Sequence, residues 1–303
     1  MPICFKVIQL TRLSSARLAS LAVQAAVLEA AATRKPGLVC MDTPGVHTDM
    51  DIRTLTASAF SLHSYFAQAV ECGRTHAGAA PHDLFRHLRP LGRKAEKAMF
   101  AATGGVNTHK GLIFSQGIIC AAVGRLAARA GAASPAEICA EAAAFARGLV
   151  AGDLAPLRHT AGAAAARQRV GRDLSAGEAL YLRHGTAGVR GEAESGFPHA
   201  LLGLRRLWEE GESGDVNRAV LHTLLAMMAE LHDTNILWRG GPEKLYAVQA
   251  MARRVLEFGG AATPAGEAAL GELQRYCLTH RLSPGGCADL VSIALFFRLL
   301  LDS

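Results

Sequence analysis

Asn107, Thr108, His109 and Lys110 stand side by side between Gly104-Gly105 and Gly111. One short break thus holds an amide, a hydroxyl, an imidazole and an ammonium. Apolar, helix-prone runs flank it, Glu96 to Ala102 before and Leu112 to Ala130 after. Glycines let backbone N–H groups approach a ligand, and a helix N-terminus favours anions. Lys110 adds a point charge of the sign that phosphate requires. In a P-loop the lysine follows the second glycine and the loop follows a strand. Neither holds here, so a Walker site is excluded.

Four more polar breaks carry chemistry. Residues 34–50 hold Lys35, His47 and Asp49; residues 185–196 hold Arg190, Glu192 and Glu194. Residues 233–241 hold Asp233, Asn235 and Arg239, and residues 283–289 end on Asp289. Lysine and arginine grip phosphate oxygens while carboxylates hold Mg²⁺ directly or through water, so the mixture suits a polyphosphate with a divalent cation. Each group also has a plainer use. Glu192, Glu194 and Asp289 suit helix N-termini, where the dipole favours carboxylates. His109 serves equally as a structural hydrogen-bonding group. His47-x-Asp49 looks like a ligand pair, but no His/Cys cluster at metal spacing supports zinc. No Gly-x-Ser-x-Gly elbow or Ser-His-Asp order supports a nucleophilic hydrolase.

Helices must position these breaks. Apolar residues recur at helical spacing from Arg12 to Ala32 (Leu13, Ala16, Leu21, Val27, Leu28), until Lys35-Pro36-Gly37 ends the run. A second helix is expected over Asp51–Cys72, with Leu55, Phe60, Leu62 and Phe66 in the core, and a third over Asp83–Ala101, bent at Pro90. Ser134-Pro135-Ala136-Glu137 and Ser175-Ala176-Gly177-Glu178 read as capping boxes. Later helices fall at 215–232, 242–259, 264–280 and 290–301. Residues 1–11 read as a loose lead-in and 151–174 as a flexible basic loop. No period-2 segment of useful length is present. The expected architecture is all-α: one compact domain over 1–303, of roughly ten helices, with a site built from inter-helix loops converging at one end.

Composition sets the outer bounds. The 303 residues are 50% hydrophobic but only 6% aromatic, which favours helix over sheet and excludes disorder. A net charge of +6 suits an anionic partner. Without a helix-turn-helix or an aromatic-interleaved basic strand, nucleic acid is not the expected one. Seven dispersed cysteines without a C-x-x-C pair read as reduced thiols of a cytoplasmic protein. The apolar start is broken by Lys6, and the run Leu290–Leu301 is too short for a bilayer, so no membrane role is expected.

Taken in order, the motifs resemble those of the triphosphoribosyl-dephospho-coenzyme A synthases. Lys35-Pro36-Gly37-Leu38-Val39 with Gly45-x-His47-x-Asp49-Met50 is similar to the first, and Gly105-Val106-Asn107-Thr108-His109-Lys110-Gly111 with Phe114-Ser115 to the central one. Arg190-Gly191-Glu192-Ala193-Glu194 with Gly196-Phe197-Pro198, then Asp233-Thr234-Asn235 with Arg239-Gly240-Gly241, resemble the next two. Ser283-Pro284-Gly285-Gly286 with Ala288-Asp289-Leu290 resembles the last, so the likeness spans about residues 29–290.

The resemblance implies an all-α enzyme that transfers the 5-triphosphoribosyl group of ATP to the 2′-hydroxyl of 3′-dephospho-CoA and releases adenine. The product would be the prosthetic-group precursor for the acyl carrier subunit of citrate lyase or malonate decarboxylase, passed on to a holo-acyl-carrier-protein synthase step. On that reading Asp49, Glu192 and Glu194 act as general base or stabilise the oxocarbenium-like transition state. Asp233 and Asp49 hold Mg²⁺, and Lys35, Lys110 and Arg239 position the retained triphosphate. Asn107, Thr108 and His109 contact ATP, and His47, Gly105, Arg190 and Asn235 complete the nucleotide-binding set. One position departs: Cys40 stands where the pattern usually carries Asp, with Asp42 the nearest substitute. The alternative reading is a non-catalytic helical nucleotide-binding or regulatory protein, with Cys40 as its hint.

Overall fold

The most apolar helices lie at the centre. A computed structural model describes residues 6–158, 163–171, 173–211 and 214–303. In chain order the main helices are α1 (Ser15–Ala31), α2 (Ile52–Ser61), α3 (His63–Thr75), α4 (Pro81–Ala102), α5 (Lys110–Arg129) and α6 (Pro135–Ala146). Two short helices follow, α7 (Ala155–Arg158) and α8 (Ala163–Val170), then α9 (Ala176–His184), α10 (Gly188–Glu194) and α11 (Pro198–Gly211). The last four are α12 (Val216–Glu230), α13 (Thr234–Glu257), α14 (Pro264–His280) and α15 (Gly285–Leu301). Ile118 to Val123 of α5 and Val291 to Phe297 of α15 are buried without interruption. A helix apolar on all sides needs neighbours on all sides. α1, α3, α4 and α6 pack on α5, and α1, α11 and α12 on α15.

The α3–α5 crossing depends on missing side chains. A Cβ on Gly73 would fall 2.0 Å from the Ala121 carbonyl oxygen, and one on Gly124 2.0 Å from that of Val70. Small residues let two helix backbones approach this closely. The local start signals also operate as the sequence implies: Ser134 and Ser175 each accept from the backbone of the glutamate three residues on, and each glutamate bonds back.

The protein is all-α: among the described residues the only β pairing is an isolated bridge between Ile8 and Ala133. Several boundaries differ from expectation. The single helix over 51–72 is two, with the turn at Leu62, and this leaves Phe60 63% exposed. In α1 Leu21 is buried as expected, together with Leu18, Ala19, Ala22, Val23, Ala25 and Ala26, while Ala16 is exposed. Alanines dominate that set because close approach to α3 and α15 leaves little room. α4 starts at Pro81, two residues before the expected Asp83, and carries Pro90 inside it. Residues 6–11 are not loose, since Ile8 is bridged to Ala133 and Leu10 is fully buried; residues 1–5 lie outside those described. Residues 151–174, expected as a flexible loop, include a π-helical turn (Val150–Leu154), α7 and α8. Leu154, Leu157, Ala166 and Tyr181 form a small cluster of their own there. Roughly ten helices become fifteen among the described residues because such breaks are themselves helical.

Cys40, Cys72, Cys120, Cys139, Cys277 and Cys287 are free and buried, and Cys4 lies outside the described residues. α5 is long and apolar enough to cross a membrane, yet 78% of its apolar window is buried by the neighbouring helices.

Candidate active site

The five polar breaks meet. Nε2 of His47 lies 3.0 Å from Oγ of Ser283, joining the first break to the last. A guanidinium N–H of Arg239 donates to the Arg281 carbonyl at 3.2 Å. Asp233, the N-cap of α13, accepts at Oδ1 from the N–H groups of Asn235 (2.8 Å) and Ile236 (3.1 Å), and at Oδ2 from that of Cys287 (2.8 Å). One carboxylate thereby ties the starts of α13 and α15. The carboxylate of Asp289 lies against Gly111 and accepts from the Leu112 N–H at the start of α5. Between these junctions opens a cavity of about 1800 Å³. Pockets for single small ligands measure about 300–1,000 Å³.

Eleven of the fourteen residues named from the sequence line this cavity: Lys35, His47, Asp49, Asn107, Thr108, His109, Lys110, Arg190, Glu192, Asn235 and Arg239. Gly105, Glu194 and Asp233 do not. Nor does the site consist of loops alone, since Lys110, Arg190, Glu192, Asn235 and Arg239 are all on helices. Gly104 (φ 63°) and Gly105 (φ 91°) both adopt the left-handed conformation, which turns the chain from α4 into α5. His109 is buried, with Nδ1 2.7 Å from Oγ of Ser58, which also accepts from the Thr108 hydroxyl at 2.6 Å. Ser58 then donates to Nδ1, and this assignment leaves the His109 proton on Nε2. Burial, with the Lys35 charge nearby, pushes the His109 imidazolium down to about 4. At neutral pH His109 is therefore an uncharged donor. His47 is likewise pushed below its ordinary value, by burial and then by the charge of Arg239.

The cations fall into two kinds. Lys110 is 3.2 Å from Glu96, Arg190 is 3.4 Å from Asp153, and Arg239 holds only a carbonyl. These partners are partly exposed and exchangeable for phosphate oxygens. Lys35 is different. Its Nζ donates to Oε1 of Glu29 (2.7 Å) and to the Glu29 backbone carbonyl (2.5 Å), with side chains only 1% and 7% exposed. Its charge is committed inside the wall.

The carboxylates divide likewise. Asp49 is 60% exposed, with His47 at 3.8 Å. Glu194 accepts from the Val150 N–H and supports the π-helical turn. Glu192 gives both oxygens to His199: Oε1 accepts its N–H at 2.9 Å and Oε2 lies 2.8 Å from its Nδ1. The two donors named for Mg²⁺ differ: Asp233 is filled by three backbone N–H groups, whereas Asp49 stands on the exposed rim. No three His, Cys, Asp or Glu among the described residues are placed to hold an ion. Asp233→Ala should accordingly cost about 2–4 kcal/mol in chemical denaturation, from two lost helix caps. The Mg²⁺ concentration giving half-maximal rate should stay where it is; a marked rise in it would restore Asp233 as a ligand.

Cys40 is 1% exposed and does not line the cavity, and Asp42 is exposed on the surface away from it. The departure at position 40 removes no group from the site. Sequence reasoning missed Glu29, Arg89, Arg93, Asp153 and His199, all of which line the cavity. Each left a faint signal. Glu29 is the one acidic residue of the alanine-rich α1, Arg89 and Arg93 share a face of α4 at i,i+4 spacing, and His199 adjoins Phe197-Pro198. Asp153, in the stretch set aside as a loop, bridges Arg89 (2.9 Å) and Arg190.

A sequence model of the ATP:dephospho-CoA triphosphoribosyl transferase family matches residues 15–303. A protein of Klebsiella pneumoniae named 2-(5''-triphosphoribosyl)-3'-dephosphocoenzyme-A synthase is 39% identical over 288 residues, 94% of this chain and 91% of the relative. Two proteins named as probable enzymes of the same kind are similarly close. That of Citrobacter koseri is 40% identical over 92% of this chain and 88% of the relative, and that of Albidiferax ferrireducens 41% over 92% and 89%. No solved structure matches the chain.

Proposed function

Because the chain belongs to the ATP:dephospho-CoA triphosphoribosyl transferase family and is a transferase, we propose that its cavity holds ATP and 3′-dephospho-CoA together. The glycosidic bond between C1′ of the ATP ribose and adenine breaks, and the 2′-hydroxyl oxygen of dephospho-CoA takes adenine's place on C1′. The observation that carries this reading is a single cavity of about 1800 Å³, large enough for two nucleotides and lined by both exchangeable cations and carboxylates. A one-nucleotide site would not need that volume.

The triphosphate is kept in the product, so its ligands position it and do not activate it as a leaving group. Lys110, Arg190 and Arg239 fit that role because each can trade a partly exposed partner for phosphate. His109 Nε2–H and the side chains of Asn107 and Asn235 supply neutral contacts to the nucleotide. Asp49 is the most exposed motif carboxylate at the cavity, with only the rim histidine His47 beside it at 3.8 Å, and it takes the 2′-hydroxyl proton or stabilises charge developing on C1′. The product would serve as the prosthetic-group precursor of citrate lyase or malonate decarboxylase. A reducing cytoplasm fits the free, buried thiols.

The test is to incubate the protein with ATP, Mg²⁺ and 3′-dephospho-CoA and to follow adenine by chromatography. Adenine is expected only when both substrates are present. Adenine from ATP alone would mark a nucleosidase, and bound ATP with no adenine would sink the transfer reading.

A further inference from the structure

The Glu192–His199 pair carries more than a glutamate acting alone would. Glu192 is one of the three carboxylates that the sequence offers for catalysis, and each of its oxygens is engaged by His199. His199 begins α11 immediately after Pro198, so its backbone N–H has no partner within the helix and donates to Glu192. The same carboxylate accepts from Nδ1, which fixes the ring and leaves Nε2 as its working atom. The glutamate is 7% exposed and the histidine 24%, and both line the cavity. The arrangement is a buried carboxylate holding, by its Nδ1, an imidazole that is itself partly exposed at the cavity.

We propose that His199 is the general acid that protonates the departing adenine, with Glu192 as its positioning residue. This rests on the transfer reading given above. The electrons of the C1′–N bond go to adenine, and the Nε2 proton of the imidazolium goes to an adenine ring nitrogen. The 2′-oxygen forms the new bond to C1′ and releases its proton to the cavity carboxylates, from which the imidazole regains it. Protons balance with no further reactant.

The charges around His199 suit this direction of transfer. Glu192 faces it from α10 and Glu230 from the end of α12, both anionic, while the Cys139 thiol of α6 beside Glu192 is held neutral by burial. The hydrogen bond to Glu192 raises the imidazolium above its ordinary value, against the opposing effect of burial. An acid must begin protonated, so the rate falls as pH rises through that raised value.

The experiment compares wild type with His199→Gln on two donors. ATP needs a proton to release adenine. Nicotinamide riboside 5′-triphosphate does not, because its pyridinium leaves as a neutral molecule. With ATP, kcat should fall by about 10²-fold or more with little change in KM. The alkaline fall of the wild-type profile should be absent from the variant. With the pyridinium donor the two proteins should differ by only a few-fold. Glu192→Gln gives an independent reading: it should move the alkaline limb to lower pH, since the histidine loses the charge that holds its proton. Equal losses on both donors, or an alkaline limb unchanged in both variants, would overturn the assignment. Failure of wild type to release adenine from ATP would instead overturn the transfer reading, so the two failures are distinguishable.

Discussion

Replacing Lys35 by methionine is expected to destabilise the protein by about 3–5 kcal/mol, the cost of stranding one partner of a buried ion pair. Lys35 does two things at once. It neutralises Glu29, and it donates to the Glu29 backbone carbonyl, with that of Ala30 at 3.5 Å, at the C-terminal end of α1. The Glu29 carbonyl accepts only the 3.3 Å bond from the C-cap Ala32 N–H besides, so the ammonium serves as a cap of the last turn as well as a counter-ion. Without it Glu29 would face Asp289, whose carboxyl burial already pushes well up and whose neighbours Glu29 and Asp233 push further. The double variant Glu29→Leu with Lys35→Met should recover much of the loss, because removing a buried pair costs far less than breaking one. Chemical denaturation of the three proteins checks this. If Lys35 instead grips the triphosphate directly, Lys35→Met would leave stability unchanged and weaken only ATP binding.

Gly111→Ala is expected to lower stability by about 1–3 kcal/mol and turnover by about 10²-fold, although intrinsic helix propensity favours alanine by about 1 kcal/mol. The opposition of signs makes the measurement decisive. A Cβ at position 111 would lie 2.0 Å from Oδ2 of Asp289. That carboxylate lines the cavity, and turning away into it means giving up the Leu112 N–H that holds it. Either that hydrogen bond is lost, or the start of α5 or the start of α15 shifts. The first carries Thr108, His109 and Lys110 into the cavity, and a displacement of about 1 Å there is enough to misalign a reacting pair. Removing the obstruction with Asp289→Ala in the Gly111→Ala background should restore stability but not activity. No rescue would mean that the close approach is not the cause.

The sequence by itself determined the class of fold and picked out segments that line one cavity. Abundant alanine, few aromatics and the serine capping boxes left helices as the only regular structure. The glycine-bearing polar breaks marked where those helices open towards a ligand. What it could not determine was which way each side chain in a break points. Glu192, Glu194 and Asp233 have the same local appearance, a carboxylate beside a helix start. Yet Glu192 orients a histidine at the cavity, Glu194 supports a backbone turn outside it, and Asp233 ties α13 to α15. Lys35 reads as a phosphate ligand until Glu29, six residues back on α1, is seen to claim it. His199 carried no signal beyond its place next to Pro198. A carboxylate or an ammonium takes whichever partner the packed helices place within hydrogen-bond reach. Those partners come from segments far along the chain: Cys287 is 54 residues from Asp233, and Ser283 is 236 from His47. Spacing along the chain fixes residue types at helix ends, whereas their pairing follows from helix crossings that exist only once the core has packed.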